Sequence, residues 1–311
     1  GAAPFGDRPP RHGDAAMTPE TLALPAGDFE VLTEGPRDAP VLLMLHGFPE
    51  HAGAWAPLAR RLSDRFLCVA PNQRGYGRSP RPEAVEAYRI SRLVGDALGV
   101  LDRFGGRARA VVGHDWGASV AYALAISAPE RMDALVIANG VHPIPFQRAL
   151  AAGGAQSEAS QYIEWLRAPD SHDKLNAEPG MANMFRLFSA KMDTAWMTEA
   201  DRAAYRAAWE GPGGVRGMVN WYRATPLKVA APGRPIPEAE LPPMDPAAMR
   251  VRVPHLLLWG LGDTALLPET REGLAELCDA GLAVREWPDA DHWILHQKPD
   301  ETAAEIRAFL A

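Results

Sequence analysis

Val111-Val112-Gly113-His114-Asp115-Trp116-Gly117-Ala118 is the stretch on which the reading of this chain turns. An apolar strand, Ala108 to Val112, runs into a turn with glycine on both sides, and a helix-like segment, Ala118 to Ser127, follows. A strand–turn–helix of this kind lifts the enclosed side chain above the sheet, where a ligand can reach it. The lifted residue here is a carboxylate, Asp115. A carboxylate attacks carbon that is already electrophilic and forms an alkyl ester, and it is a poor nucleophile for amides or ordinary esters. The chemistry expected of Asp115 is therefore that of alkyl halides and epoxides.

On its own, an aspartate at a strand end reads as a helix N-cap or a surface charge. Two further residues change that reading. Asp263 closes the apolar segment His255-Leu256-Leu257-Leu258-Trp259-Gly260-Leu261-Gly262. His292 follows the short strand Ala283 to Trp287, within Asp289-Ala290-Asp291-His292-Trp293. Nucleophile, acid and histidine thus occur in that order along the chain. Asp263 and His292 both sit just after strands, at the edge where open α/β sheets bind ligands.

The 311 residues suit one large domain or a domain with an insertion. With 47% hydrophobic and 23% charged residues the composition is that of a globular enzyme. A formal charge of -7 with scattered arginines excludes the basic footprint of a nucleic-acid or anionic-membrane binder. Cys68 lies in an apolar strand and Cys278 near the end of an expected helix, and both are read as buried free thiols. No apolar stretch approaches the roughly 20 residues of a membrane span. The first sixteen residues lack the apolar centre of a signal peptide, so Met17 is a candidate natural start and the cytoplasm the expected address.

Strands and helices alternate along the first part of the chain. Val41 to Leu45, Phe66 to Ala70 and Leu135 to Ala138 read as strands, and Trp55 to Leu62 and Ser91 to Phe104 as helices. Such alternation implies a mostly parallel sheet with helices on both faces, an α/β architecture. From Val141 the strand signal fades. Helical, aromatic-rich segments follow around Ser160 to Leu166, Met181 to Met192, Thr198 to Trp209 and Gly217 to Ala224, then a proline-dense stretch from Pro226 to Pro246. The expected organisation is an N-terminal tail over residues 1–20, a core domain over 21–140 and 247–311, and an inserted helical cap over 141–246.

With these residues placed, the chain resembles the α/β-hydrolase superfamily and, within it, the epoxide hydrolases, from about Thr21 onward. Four segments carry the resemblance: His46-Gly47-Phe48-Pro49-Glu50; Arg74-Gly75-Tyr76-Gly77-Arg78-Ser79; Gly113 to Ala118; and Asn220-Trp221-Tyr222-Arg223. The first and third occur in dehalogenases too. The fourth is similar to the cap segment that supplies one epoxide-binding tyrosine. Opening an epoxide leaves an alkoxide, so the reaction needs an acid that stays neutral near pH 7, and tyrosine suits this. By resemblance Tyr222 is one such residue and Tyr162 the other, with Tyr205 as the fallback for the latter.

The resemblance implies attack by Asp115 on an epoxide carbon, then hydrolysis of the ester by water that His292 activates, with Asp263 supporting His292. The backbone N–H groups of Phe48 and Trp116 match the family's oxyanion hole. His296, one helical turn further on, is the rival to His292. His46, Trp116 and Trp293 are expected at the substrate pocket, His46 through the shape of the turn rather than through chemistry, and Arg74 is expected to be structural. Asn72 and Gln73 depart from the family's usual acidic lead-in to the Arg74 segment. The aromatics Trp165, Phe185, Phe188, Trp196 and Trp221 suggest an apolar pocket. No cofactor and no metal is implied, the substrate is a small apolar epoxide with water, and a homodimer is compatible with the reading.

Two other functions stand beside this one. A dehalogenase would use the same three residues. Against it, Phe48 replaces the asparagine that often serves as a halide donor, Trp116 and Ser119 occupy the arginine positions of haloacid-type relatives, and Ile163 replaces their cap tryptophan. Ala138-Asn139-Gly140 also lacks the acid that some dehalogenases carry after that strand. A non-catalytic α/β-hydrolase-like ligand receptor is the other, and slow turnover of a styrene-type epoxide separates it from an enzyme.

Overall fold

Two strands, Thr18–Leu24 (β1) and Gly27–Glu34 (β2), begin the part of the chain that the computed structural model describes, residues 17–177 and 179–311. Val41–Leu45 (β3), Leu67–Pro71 (β4), Ala110–His114 (β5), Leu135–Ala138 (β6), His255–Gly260 (β7) and Leu282–Trp287 (β8) follow. They form one eight-stranded sheet in the order β1-β2-β4-β3-β5-β6-β7-β8. From β4 to β8 every neighbouring pair is parallel, while β1 pairs antiparallel with β2, and β2 with β4. This is the mostly parallel α/β sheet expected from the sequence.

The apolar runs are continuous because these strands are covered on both faces, and successive side chains point to opposite sides. In β3, Leu43 and Leu45 enter one core while Leu42 and Met44 enter the other. In β6 and β7 the same alternation sends Leu135, Ile137, Leu257 and Trp259 to the first core and Val136, Ala138, Leu256 and Leu258 to the second. Parallel neighbours need crossover connections, which helices provide. Ala56–Leu62 (α1) contributes Leu58, Ala59 and Leu62 to the second core. Ile90–Asp102 (α2) and Trp116–Ser127 (α3) cover the opposite face. Helix α3 is apolar nearly all round because it is enclosed by sheet and α2, and its N-terminus ends up beneath the cavity described below.

Between β6 and β7 the described residues include seven α-helices: Pro143–Ala151 (α4), Ala155–Ala159 (α5), Gln161–Arg167 (α6), Ser171–Asn176 (α7), Ala182–Ser189 (α8), Glu199–Trp209 (α9) and Arg216–Ala224 (α10). Helix α9 starts at a capping box, Thr198 with Asp201. Ile294–Gln297 (α11) and Pro299–Phe309 (α12) close the chain, α12 against α1. No helix among the described residues is long and apolar enough to cross a membrane.

Several expectations shift. The elbow strand lies two residues later than Ala108 to Val112, because pairing with β3 and β6 continues through Gly113 and His114. The hairpin β1–β2 was not legible, and β1 starts at Thr18, three residues inside the stretch read as tail; residues 1–16 lie outside the described ones. Helix α4 was also unforeseen. Its two prolines, Pro143 and Pro145, fall in the first turn, where a missing N–H costs nothing. Cys278 follows a short 3-10 turn, Leu274–Leu277, rather than a helix. Both cysteines are free and buried, and burial pushes the Cys68 thiol up to about 12.

Candidate active site

Asp115 occupies a backbone conformation that only a tightly framed turn sustains, with φ 52 and ψ -122. For a non-glycine residue this costs about 1–3 kcal/mol, which the surrounding packing has to offset. The frame is set by close backbone approach. A Cβ at Gly117 would overlap the carbonyl oxygen of Leu45, and one at Gly47 would lie 2.5 Å from Asp115 Oδ1. The turn therefore sits directly against the loop after β3, whose Phe48 N–H donates to Asp115 Oδ1 at 2.8 Å. Trp116 is the first residue of α3, where backbone N–H groups lack intrahelical acceptors and the helix dipole favours negative charge. The second oxygen, Oδ2, lies 3.4 Å from His292 Nε2.

His292 is held from its other side. Its Nδ1 is 2.6 Å from Asp263 Oδ2, which fixes the proton on Nδ1 and turns Nε2 toward Asp115. Asp263 is buried, and its carboxylate has four donors. Ala265 and Leu266 N–H bond Oδ1 at 2.8 and 2.9 Å, and Asn139 Nδ2 bonds Oδ2 at 2.9 Å beside His292. Asn139 cannot turn over, since its Oδ1 accepts the Gly260 N–H at 2.8 Å. Burial lowers the pKa of His292, but the two carboxylates that flank it outweigh burial and hold it well above its ordinary value. Burial likewise raises the pKa of Asp115, yet the His292 hydrogen bond and charge leave it below the usual carboxylate range.

A second buried carboxylate stands behind this group. Glu50 Oε1 accepts from Tyr205 OH at 2.8 Å and meets His296 Nε2 at 2.6 Å, and Oε2 is 3.2 Å from His114 Nδ1 without hydrogen-bond alignment. His114 Nε2 in turn donates to the carbonyl of His292 at 2.8 Å. Burial raises the pKa of Glu50, and the two histidines overcome it to hold the carboxyl well below its ordinary value. Tyr205 is thus engaged by Glu50 rather than facing the site. His296 stacks on Trp196 at 3.8 Å and is no rival to His292.

Above Asp115 lies a cavity of about 560 Å³. Phe48, Asp115, Tyr162, Tyr222, His292 and Trp293 all line it. Tyr222 stands edge-on to Phe48 and Trp116, with ring centroids 5.1 and 5.2 Å away, and Tyr162 is 6.2 Å from Tyr222. Their helices are tied together, since Arg167 Nε in α6 donates to the Tyr222 carbonyl at 2.9 Å, and Trp221 Nε1 anchors α10 on the Arg74 carbonyl at 2.8 Å. Burial raises both tyrosine pKa values, and the nearby Asp115 carboxylate adds to the effect, so both hydroxyls stay protonated at neutral pH. A carboxylate and two neutral tyrosine hydroxyls on residues that line one cavity, with a supported imidazole beside the carboxylate, can accept an alkyl group, donate a proton and activate water.

Two residues expected at the pocket lie elsewhere. His46 is buried under the loop, its Nε2 accepting the Gln73 N–H at 3.1 Å, and burial lowers it to about 4, so it is neutral and shapes the turn. Trp116 faces a separate apolar cavity of about 350 Å³ together with Trp221. None of Trp165, Phe185, Phe188, Trp196 and Trp221 lines the cavity above Asp115, whose apolar wall comes from Phe48, Trp293, Leu187, Met192 and several alanines. Arg74 is structural, paired with Asp96 at 2.7 Å. Asn72 and Gln73 bond neighbouring loops, Asn72 Oδ1 through the Ala52 N–H at 2.8 Å. Among the described residues no three His, Cys, Asp or Glu side chains gather to hold a metal.

A family model described as alpha/beta hydrolase fold matches residues 40–299 of this chain. The chain belongs to the α/β-hydrolase fold family. It is 32% identical over 272 residues to the AB hydrolase superfamily protein YfhM of Bacillus subtilis, covering 87% of this chain and 90% of that one. It is 28% identical over 291 residues to epoxide hydrolase 4 of Mus musculus, covering 91% of this chain and 76% of the relative. Among solved structures it resembles one of novel epoxide hydrolases from metagenomes of hot environments, with TM-score 0.86, 38% identity and coverage of 96% and 99%. An inhibitor complex of a Bacillus megaterium epoxide hydrolase matches with TM-score 0.81, 26% identity and coverage of 94% and 99%. In this α/β hydrolase, sequence reasoning missed Asn139 and the roles of Glu50 and His114. Glu50 and His114 stood inside quoted segments, but nothing local marked them as partners.

Proposed function

We propose that this α/β hydrolase opens a small apolar epoxide to a vicinal diol through a covalent ester on Asp115. The observation that carries the reading is the pair of protonated tyrosines, half-buried Tyr162 and buried Tyr222, lining the same cavity as Asp115. Resemblance to proteins named epoxide hydrolases supports it. Residues 141–246 act as the cap that brings both hydroxyls over the core.

Asp115 Oδ1 is held by the Phe48 N–H, so Oδ2 attacks an epoxide carbon. The carbon–oxygen bond of the ring breaks, and a tyrosine hydroxyl gives its proton to the departing oxygen. The product is a hydroxyalkyl ester with a tyrosinate beside it. Esterification also removes the Asp115 charge. One of the two carboxylates that hold the His292 pKa up is thereby gone, so the imidazolium releases its Nε2 proton to solvent and the neutral ring serves as a base; it regains a solvent proton once the Asp115 carboxylate re-forms. His292 takes a proton from water, and the hydroxide adds to the Asp115 carbonyl carbon. The oxyanion is stabilised by the N–H groups of Phe48 and Trp116. Collapse expels the diol oxygen, which takes the proton from His292, and the Asp115 carboxyl returns its own proton to the tyrosinate.

A halide would leave without needing these hydroxyls, so their placement favours an epoxide. The test is a single turnover with enzyme in excess in oxygen-18 water. The expected first diol is mostly unlabelled, with label on the Asp115 peptide. Fully labelled first-turnover diol with an unlabelled Asp115 peptide would refute the nucleophilic role and leave Asp115 at most a base.

A further inference from the structure

Gln156, in α5, is wholly buried, and its side-chain amide is used on both ends. Nε2 donates to Ser160 Oγ and to the Ala265 carbonyl, both at 2.8 Å, and Oε1 accepts the Leu267 N–H at 2.8 Å. Its backbone N–H donates to Glu269 Oε1 at 2.6 Å. One side of this amide grips residues 265–267, the loop whose Ala265 and Leu266 N–H groups hold Asp263 Oδ1. The other side grips Ser160, the residue from which α6 starts, and Tyr162 is the second residue of that helix. Ala159 and Tyr162 from one segment and Thr264 and Ala265 from the other line the same cavity.

We propose that Gln156 is a positioning residue that sets Tyr162 and Asp263 relative to each other across the cavity. This rests on the epoxide-hydrolase reading above. The physical reason is that the two groups arrive on chain segments far apart in sequence, and Gln156 is a direct bond between those segments. An amide is suited to the task because it donates to the Ala265 carbonyl and accepts the Leu267 N–H at once. A carboxylate, ether or hydrocarbon of the same size lacks one or both functions. Misplacement of a reacting group by about 1 Å is enough to cost up to a hundredfold in rate.

The consequence is a double kinetic effect. His292→Ala is expected to block ester hydrolysis alone, and Tyr162→Phe to slow ester formation alone. Gln156→Ala is expected to slow both steps, each on the order of tenfold. The measurement is quenched single turnover of styrene oxide by the full chain, with ester on Asp115 and free diol followed by mass spectrometry. It is run at a temperature where circular dichroism shows the variant fully folded. A residue that only stabilises the fold would lower the melting temperature and leave both first-order rate constants unchanged, which would overturn the proposal. Loss in one step alone would overturn it as well. If Gln156→Ala does not fold, Gln156→Glu keeps the Leu267 acceptor and loses the donations to Ala265 and Ser160, and the same double loss is expected. Absence of turnover by the unaltered chain is a different failure, that of the functional reading itself.

Discussion

Replacing Asp263 by asparagine tests the charge arrangement with almost no change of shape. All four groups around the carboxylate are N–H donors: His292 Nδ1, Asn139 Nδ2, and the backbones of Ala265 and Leu266. An asparagine has one acceptor oxygen and one NH2, so either orientation sets a donor against donors. With its oxygen toward Ala265 and Leu266, the NH2 faces His292 and favours the tautomer protonated on Nε2, which cannot take a proton from water. Asn139 cannot relieve the clash, being locked through Gly260. The unpaired donors cost about 1–3 kcal/mol of stability. The lost ion pair weighs more on catalysis. Charges roughly 4 Å apart at an effective dielectric of about 20 interact by about 4 kcal/mol. Losing that attraction weakens His292 as a base. Ester hydrolysis in Asp263→Asn is therefore expected to slow by about a thousandfold, while ester formation by Asp115 persists. Intact-protein mass spectrometry after mixing with styrene oxide is expected to find the adduct as the dominant species. A hydrolysis rate constant within about tenfold of the unaltered chain would refute the assignment of Asp263 as the support of His292.

The tyrosines make a complementary case. Tyr162→Phe and Tyr222→Phe are each expected to slow ester formation about 10- to 100-fold, and the double variant to lose nearly all of it, as removal of a general acid implies; normal epoxide turnover by the double variant would place the proton donor elsewhere. Stability is expected to fall in acid. His46, His142 and His255 are buried and neutral, each lowered by burial to about 4 from an ordinary 6.5. Unfolding at pH 5 therefore takes up protons, so the stability these residues contribute is complete above about pH 6.5 and is lost as pH falls toward 4, at up to about 1.4 kcal/mol per pH unit for each. His292, raised by its carboxylates, acts in the opposite sense: its contribution is complete below about 6.5 and declines as pH rises through its folded value. Urea titrations at pH 7, 6 and 5 measure the balance, and a flat profile from 7 to 5 would contradict burial of the three neutral imidazoles.

What the sequence determined by itself was whatever is encoded in neighbouring residues. The run Val111 to Ala118 carries its own geometry, because glycines at 113 and 117 permit the close approach that makes the turn. Continuous apolar strands announced a sheet buried on both faces, and the loss of that pattern after Val141 announced the helical insertion. Asp263 and His292 were legible because each comes within five residues of a strand's C-terminal end, and parallel strands deliver their ends to one edge. Tyr222 and Tyr162 were legible only through resemblance, and the cavity holds both.

Only the tertiary structure decided which side chains meet once segments far apart are packed. Tyr205 and Tyr162 are both tyrosines on helices of the insertion, and nothing local separates them. The packing of α9 against the loop after β3 takes Tyr205 to Glu50, a partner 155 positions away. His46 and Trp116 stand beside key positions in the sequence yet do not line the cavity above Asp115, because a side chain's direction is set by the neighbours that enclose it. Asn139 and Gln156 were invisible for the same reason. A buried amide is specified by donors and acceptors from other segments, here more than 100 positions away, and those distances exist only in the folded chain.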